Sequence, residues 1–165
     1  MASTIGALGA VEAVLEPLAV SFNRPQPERL DAVIRPDDLL TAVRTMVNES
    51  WGFLSAIVGL DHPAPAPVEG EAEVEGSIEV LYTFCKGAAI AILRTTLPYS
   101  QAVLPTISGL LPAAMLYEWE LREMFGVEVI GLPVTGHLIL ADDWPDGLYP
   151  LRKSFVGFNG EDKSQ

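Results

Sequence analysis

The chain of 165 residues is the size of one domain; 49% of it is apolar and 19% charged, enough for a core and too little charge for a disordered chain. Ten Lys and Arg against 22 Asp and Glu give a formal net charge of −12, a surface that repels phosphates and anionic lipid and so argues against nucleic acid and against direct membrane insertion. The single cysteine, Cys85, excludes an internal disulfide, a Cys-only zinc site and a Cys-ligated iron–sulfur cluster within the chain.

Leu8, Val11, Leu15 and Leu18 recur at helical spacing and predict a short amphipathic helix over residues 5–18, ending near Pro17. With no Lys or Arg among the first 23 residues, no secretory signal is expected there. Ser21 to Pro27 reads as a polar connection containing proline, and Leu30 to Ile34 as a short strand. Pro36-Asp37-Asp38 opens a second helix: proline suits its first turn and the two acids suit the positive end of its dipole. Leu39, Leu40, Val43, Met46 and Val47 give that helix its apolar face, and Asn48 its end.

FLSAIVGL (53–60), IEVLYTF (78–84) and AAIAILRTT (88–96) read as three buried strands of an antiparallel meander. Cys85-Lys86-Gly87 joins the last two at hairpin length, with Gly87 free to take positive φ. Between the first two lies Asp61 to Ser77, with five acids, three prolines, two glycines and no Lys or Arg. That composition is a solvated loop, or an acidic arm seeking a basic partner. Val103 to Tyr117 is apolar but too short for a membrane span and is interrupted by Pro105, Gly109 and Pro112.

PAAMLYEWELREMF (112–125) predicts a third helix, with Pro112 in its first turn and Gly126 at a left-handed C-cap. More than one face of it is apolar, as for a helix with its own sheet on one side and something else on the other. Val127 to Ile130 reads as a short strand. Residues 131–165, rich in Gly, Pro and aromatics, read as an extended arm over a surface. The order predicts an α+β fold over residues 1–130, a mainly antiparallel sheet with helices on one face, followed by an extended C-terminal docking tail.

Motifs for chemistry are sparse. The two histidines, His62 and His137, lie 75 positions apart and outside any local ligand motif, and neither nucleotide-binding glycine pattern is present. Cys85 beside Lys86 has no evident base. The one distinctive cluster is Glu118, Glu120 and Glu123. Glu120 and Glu123 share a face, and Glu118 stands four before Arg122 in the favourable order. It can be an acid–base carboxylate pair, a solvated face, or a contact surface meeting a partner's arginines, and the neighbouring Trp119 favours the contact surface. Asp142-Asp143-Trp144 and Tyr149-Pro150-Leu151-Arg152-Lys153 suit docking better than catalysis.

These residues carry a resemblance. Residues 112–126 resemble the P-x-A-x-W-x-E-R-E-x-x-D-M-F-G segment of the thirty-kilodalton subunit family of respiratory complex I, with Glu118, Glu120, Met124, Phe125 and Gly126 in matching places. Gly131-Leu132-Pro133, Asp142-Asp143-Trp144 and Pro150-Leu151-Arg152-Lys153 are similar to that family's G-H-P, D-D-W and P-L-R-K. The chain departs from the pattern at Trp119, Glu123, Leu132, Gly136 and His137. Its E-M-F-G ending and the stretch Trp144 to Pro150 look more like the related subunits of energy-converting membrane-bound [NiFe] hydrogenases.

The resemblance implies a peripheral-arm subunit with no active site and no cofactor of its own. It would sit on the cytoplasmic side of the cell membrane and brace the large catalytic subunit beside a neighbouring Fe–S subunit. The partners would carry Fe–S clusters and FMN, or the NiFe centre in the hydrogenase alternative. Partner contacts are expected from Glu118, Trp119, Glu120, Glu123, Phe125, Asp142, Asp143, Trp144, Tyr149, Arg152 and Lys153. The rivals are a free-standing acid–base enzyme using Glu120 and Glu123, and a binding module using the acidic 61–77 loop.

Overall fold

The computed structural model describes residues 3–67 and 73–157. Helix α1 (Thr4–Leu15) starts at an N-cap Ser3, whose hydroxyl accepts the Gly6 amide at 3.1 Å, and it buries Leu8, Val11 and Leu15. It stops before Pro17. Helix α2 (Leu39–Asn48) follows a single 3-10 turn at Pro36–Asp38 and buries Leu39, Ala42, Val43 and Met46. Trp51, just after it, donates its indole N–H to the Ala7 carbonyl at 2.9 Å and so ties the end of α2 to α1.

Five strands form the main sheet: β1 (Ala19–Gln26), β2 (Arg29–Ile34), β3 (Phe53–His62), β4 (Ser77–Lys86) and β5 (Ala89–Pro98), in the spatial order β1-β2-β5-β4-β3. Three neighbouring pairs are antiparallel, and β2 runs parallel to β5 with Arg29 opposite Ile90 and Val33 opposite Arg94. The β4–β5 hairpin turns at residues 87–88 instead of the expected 85–87: Lys86 pairs with Ala89, and Gly87 takes φ +62° in the two-residue turn.

The connection expected at Ser21 to Pro27 is instead most of β1. Its side chains are mostly exposed, so no apolar alternation marks it, and Pro25 falls in a register shift on this edge strand, where a missing donor breaks no ladder. The acidic loop is shorter than predicted, because Asp61, His62 and Ser77 belong to strands; part of it, 68–72, lies outside the described residues. Its exit is anchored, since Glu75 accepts from both the backbone N–H and the hydroxyl of Ser100.

Alternate residues of β4, Ile78, Val80, Tyr82 and Phe84, point into the core shared with the helices. Among the described residues the opposite face keeps Phe53, Val58 and Leu60 exposed. A row of charges crosses it. Asp31, 1% exposed, accepts two bonds from Arg29 (2.6 and 2.7 Å) and one from Arg94 (2.9 Å), and Arg94 also holds Glu79 at 2.8 Å.

Past β5 the chain adds β6 (Val103–Pro105), helix α3 (Ala114–Phe125) and β7 (Glu128–Ile130), with β6 and β7 paired in parallel as a small second sheet. Helix α3 lies across β3. Gly59 permits this close approach: a Cβ there would stand 2.6 Å from the Phe125 ring and 2.9 Å from Leu121. Residues 131–157 form neither helix nor strand and fold back along the outside of α3.

Candidate functional site

Helix α3 ends where a left-handed residue is needed: Gly126 takes φ +69° and its N–H reaches the Arg122 carbonyl at 3.0 Å. Any side chain at that position would run into the Tyr149 ring of the tail. The cap therefore closes the helix and makes room for the tail.

Two of the three helix glutamates turn inward. Glu118 is fully buried; it accepts the Ile107 amide at 2.7 Å and the Thr106 hydroxyl. It pins the connection between β6 and α3. Burial pushes its carboxyl above the usual range, and those two bonds oppose the shift without cancelling it. Glu123, 5% exposed, accepts the consecutive amides of Leu138, Ile139 (2.9 Å) and Leu140 (3.4 Å), and its Oε1 lies 3.3 Å from His137 Nδ1. Burial alone would push its carboxyl up, but the three amides and His137 outweigh it and hold the group below its ordinary value. Consecutive amides aimed at one carboxylate form an anion-binding nest, here filled by the protein's own side chain.

Arg122 and Trp119 hold the same stretch of tail. Arg122 donates to the Gly136 carbonyl at 2.8 Å and to that of Val134 at 3.4 Å, and the Trp119 indole N–H reaches Gly136 O at 3.2 Å. The Glu118–Arg122 pair expected from their spacing does not form, because each side chain has a partner in a different loop.

Farther along, the Trp144 indole N–H donates to Leu148 O at 2.9 Å and the ring packs against Phe155 with centroids 5.9 Å apart. Leu151 N donates to Met124 O at 3.1 Å and Arg152 Nε to Phe125 O at 2.7 Å, so the tail returns to the C-terminal end of α3.

Of the residues expected to face a partner, Glu118, Glu123 and Phe125 are buried within this chain, at 0%, 5% and 7% exposure. Their spacing placed them on a helix, but the 106–108 loop covers Glu118, the tail covers Glu123 and β3 covers Phe125. Arg152, Trp119, Trp144 and Tyr149 are half-buried and engaged inside the chain; Glu120, Asp142, Asp143 and Lys153 are exposed. Tail positions absent from that set stand out instead: Ile139 is 60% exposed, Leu151 52% and Leu148 40%. Asp61 was also missed, although an acid in the apolar run 53–60 extended by two residues was a signal. It is 6% exposed at the end of β3.

His62 sits beside Glu79 and His137 beside Glu123, so the two histidines stay in separate places. Among the described residues no three His, Cys, Asp or Glu side chains gather as metal ligands. A groove of about 510 Å³ opens between the 3-10 turn and β6, lined by Pro36, Leu40, Pro98, Val103, Leu104 and Ile130 among others.

Fold and site together define a class: an α+β scaffold whose irregular C-terminal arm is docked on its own third helix. The chain belongs to the family described as "Respiratory-chain NADH dehydrogenase, 30 Kd subunit", which matches residues 32–160. It is 31% identical over 134 residues to formate hydrogenlyase subunit 5 of Escherichia coli, covering 79% of this chain and 22% of that protein. Hydrogenase-4 component G of the same organism is 26% identical over 157 residues, 89% of this chain and 27% of that one. The chain thus spans about a quarter of the length of these two relatives. An NADH-quinone oxidoreductase subunit of Moorella thermoacetica is 28% identical over 128 residues, 75% of this chain and 78% of that one.

Among solved structures, a chain of the archaeal membrane-bound sulfane sulfur reductase superposes with TM-score 0.64 at 27% identity, covering 90% of this chain and 84% of that one. The Nqo5 trypsin-resistant fragment superposes with TM-score 0.57 at 21% identity, over 78% of this chain and 96% of that one, which shows the shared fold. Among the described residues no helix is long and apolar enough to cross a membrane.

Proposed function

We propose that the chain is a non-catalytic, thirty-kilodalton-type member of a complex I-related NADH:quinone oxidoreductase, bracing the large catalytic subunit during electron transfer. One observation carries the reading beyond family membership. The tail is held on α3 by a buried carboxylate and leaves Ile139, Leu148 and Leu151 exposed, as it does Asp142 and Asp143. Exposed apolar side chains with acids between them along the tail suit an apolar protein surface flanked by Arg or Lys, and a strongly acidic chain is steered to such a partner. In this reading the Fe–S clusters and FMN reside in neighbouring subunits, and the chain lies on the cytoplasmic side of the membrane through its complex.

The geometry weighs against Glu120 and Glu123 as an acid–base pair, since Glu123 is occupied by three backbone amides while Glu120 is exposed. The hydrogenase names of the two E. coli relatives are the specific observation behind a second reading, an equivalent subunit of a membrane-bound [NiFe] hydrogenase.

Affinity purification of the tagged chain from gently solubilised membranes tests both. Co-purification of NADH dehydrogenase and quinone-site subunits supports the first reading. A [NiFe] large subunit in their place selects the second. Purification of the chain by itself overturns both.

A further inference from the structure

We infer that Asp61, acting with Tyr99, is a positioning residue that fixes the 149–153 segment of the tail before a partner arrives, so that the docking surface is built by the end of the sheet instead of being induced by binding. The inference rests on the docking reading above.

Asp61 pairs with Ile78 at the end of β3 and is 6% exposed. A carboxylate removed from water needs donors, and β3 supplies none to it. Its two oxygens take donors from two other parts of the chain. Oδ1 accepts the Tyr99 hydroxyl, from the turn after β5, and Oδ2 accepts the Lys153 amide at 2.7 Å, 92 residues away in sequence.

Between these anchors Arg152 is stacked on two rings. Its guanidinium lies 4.7 Å from the Tyr99 centroid and 4.8 Å from the Tyr149 centroid, while its Nε bonds to the last carbonyl of α3. Tyr99 is the link: its hydroxyl meets Asp61 and its face meets Arg152. Burial and the Asp61 contact push its phenol up to about 12, so the hydroxyl stays a donor at any physiological pH.

The end of β3, the turn after β5 and the C-terminal end of α3 therefore converge on three consecutive residues, Leu151, Arg152 and Lys153. This segment has no ladder of its own, and the clasp replaces one. Held this way, Leu151 and Lys153 project outward in one arrangement, and a partner meets a surface whose ordering entropy is already lost.

The test compares the full-length chain with Asp61→Asn and Tyr99→Phe, using hydrogen–deuterium exchange read peptide by peptide and limited trypsin cleavage at Arg152 and Lys153. We expect the amides of 149–153 to exchange about tenfold faster in Asp61→Asn, with faster tryptic cleavage, while β4 and β5 keep wild-type protection. Tyr99→Phe, which keeps the ring over Arg152, should move the same amides in the same direction by less. If Asp61→Asn does not fold, Tyr99→Phe carries the test by itself. Unchanged exchange at 149–153, or loosening spread evenly over β3 to β5, overturns the inference. Co-purification with Ile139→Asp addresses the docking reading separately: that variant should keep a protected tail and lose its partner, and retained partners would sink the docking reading while leaving the clasp standing.

Discussion

Replacing Glu123 by Gln changes charge and acceptor capacity at almost constant volume, and the structure says what that removes. The carboxylate is 5% exposed and accepts three successive tail amides. Glutamine offers one acceptor oxygen, and its NH₂ group turns toward amides that are themselves donors. Bonds from backbone N–H to a charged acceptor contribute about 1.5–3 kcal/mol each, but Ile139 is 60% exposed and water can replace part of the loss. We expect a net destabilisation of about 2 kcal/mol, which for a chain of this length lowers Tm by about 4–8 °C. Scanning calorimetry at pH 7 measures it. The pH dependence adds a second check. Because the Glu123 carboxyl lies below its ordinary value of 4.5 in the folded state, its contribution is complete above that value and is lost as pH falls through the folded pKa. The gap between wild type and E123Q should narrow as pH falls below that ordinary value. A Tm change under about 1 °C at pH 7, or a gap that persists unchanged to pH 3, would refute the assignment of Glu123 as the tail's anchor.

Glu118 predicts the opposite slope: its carboxyl is raised above 4.5, so its contribution is complete below that value and lost as pH rises through the folded pKa. Urea unfolding of E118Q against wild type should therefore show wild type gaining relative stability as pH falls from 7 toward 4.5, and a slope of the same sign as for Glu123 counts against its buried placement. Gly59→Ala forces a methyl against the Phe125 ring and Leu121 and should destabilise by about 1–3 kcal/mol in the same assay, with α3 loosened from β3 in hydrogen exchange. Removal of residues 131–165 exposes Asp61 and Glu123 but takes no strand or helix among the described residues. We expect cooperative unfolding at a lower Tm by circular dichroism together with loss of co-purifying subunits, and retention of those subunits would speak against the tail as the docking element.

The helices were legible in the sequence because each carries its own local signals. Leu8, Val11 and Leu15 recur at helical spacing in α1, Pro36 opens the turn before α2, and Gly126 closes α3. The meander was legible because β3, β4 and β5 are apolar enough to announce themselves. β1 was not, since an edge strand with exposed side chains has no alternation to show. Nor was the parallel pairing of β2 with β5, whose partners lie about sixty residues apart, a choice made by the packing of the whole sheet.

The candidate site divides in the same way. Residue types and spacing by themselves determined that Glu118, Glu120 and Glu123 share one helix and that the arm from Asp142 to Lys153 is irregular and rich in acidic, aromatic and basic side chains. They could not determine direction. On a helix exposed to solvent the three glutamates would be equivalent in kind. Only the return of the tail over α3, and of the 106–108 loop over its start, makes two of them buried acceptors and leaves Glu120 in water. The same holds for Asp61 and Lys153, which sequence separates by 92 positions and the clasp brings to 2.7 Å. Local structure follows from interactions within a few residues, whereas the role of a charged side chain depends on which donors the finished fold places beside it.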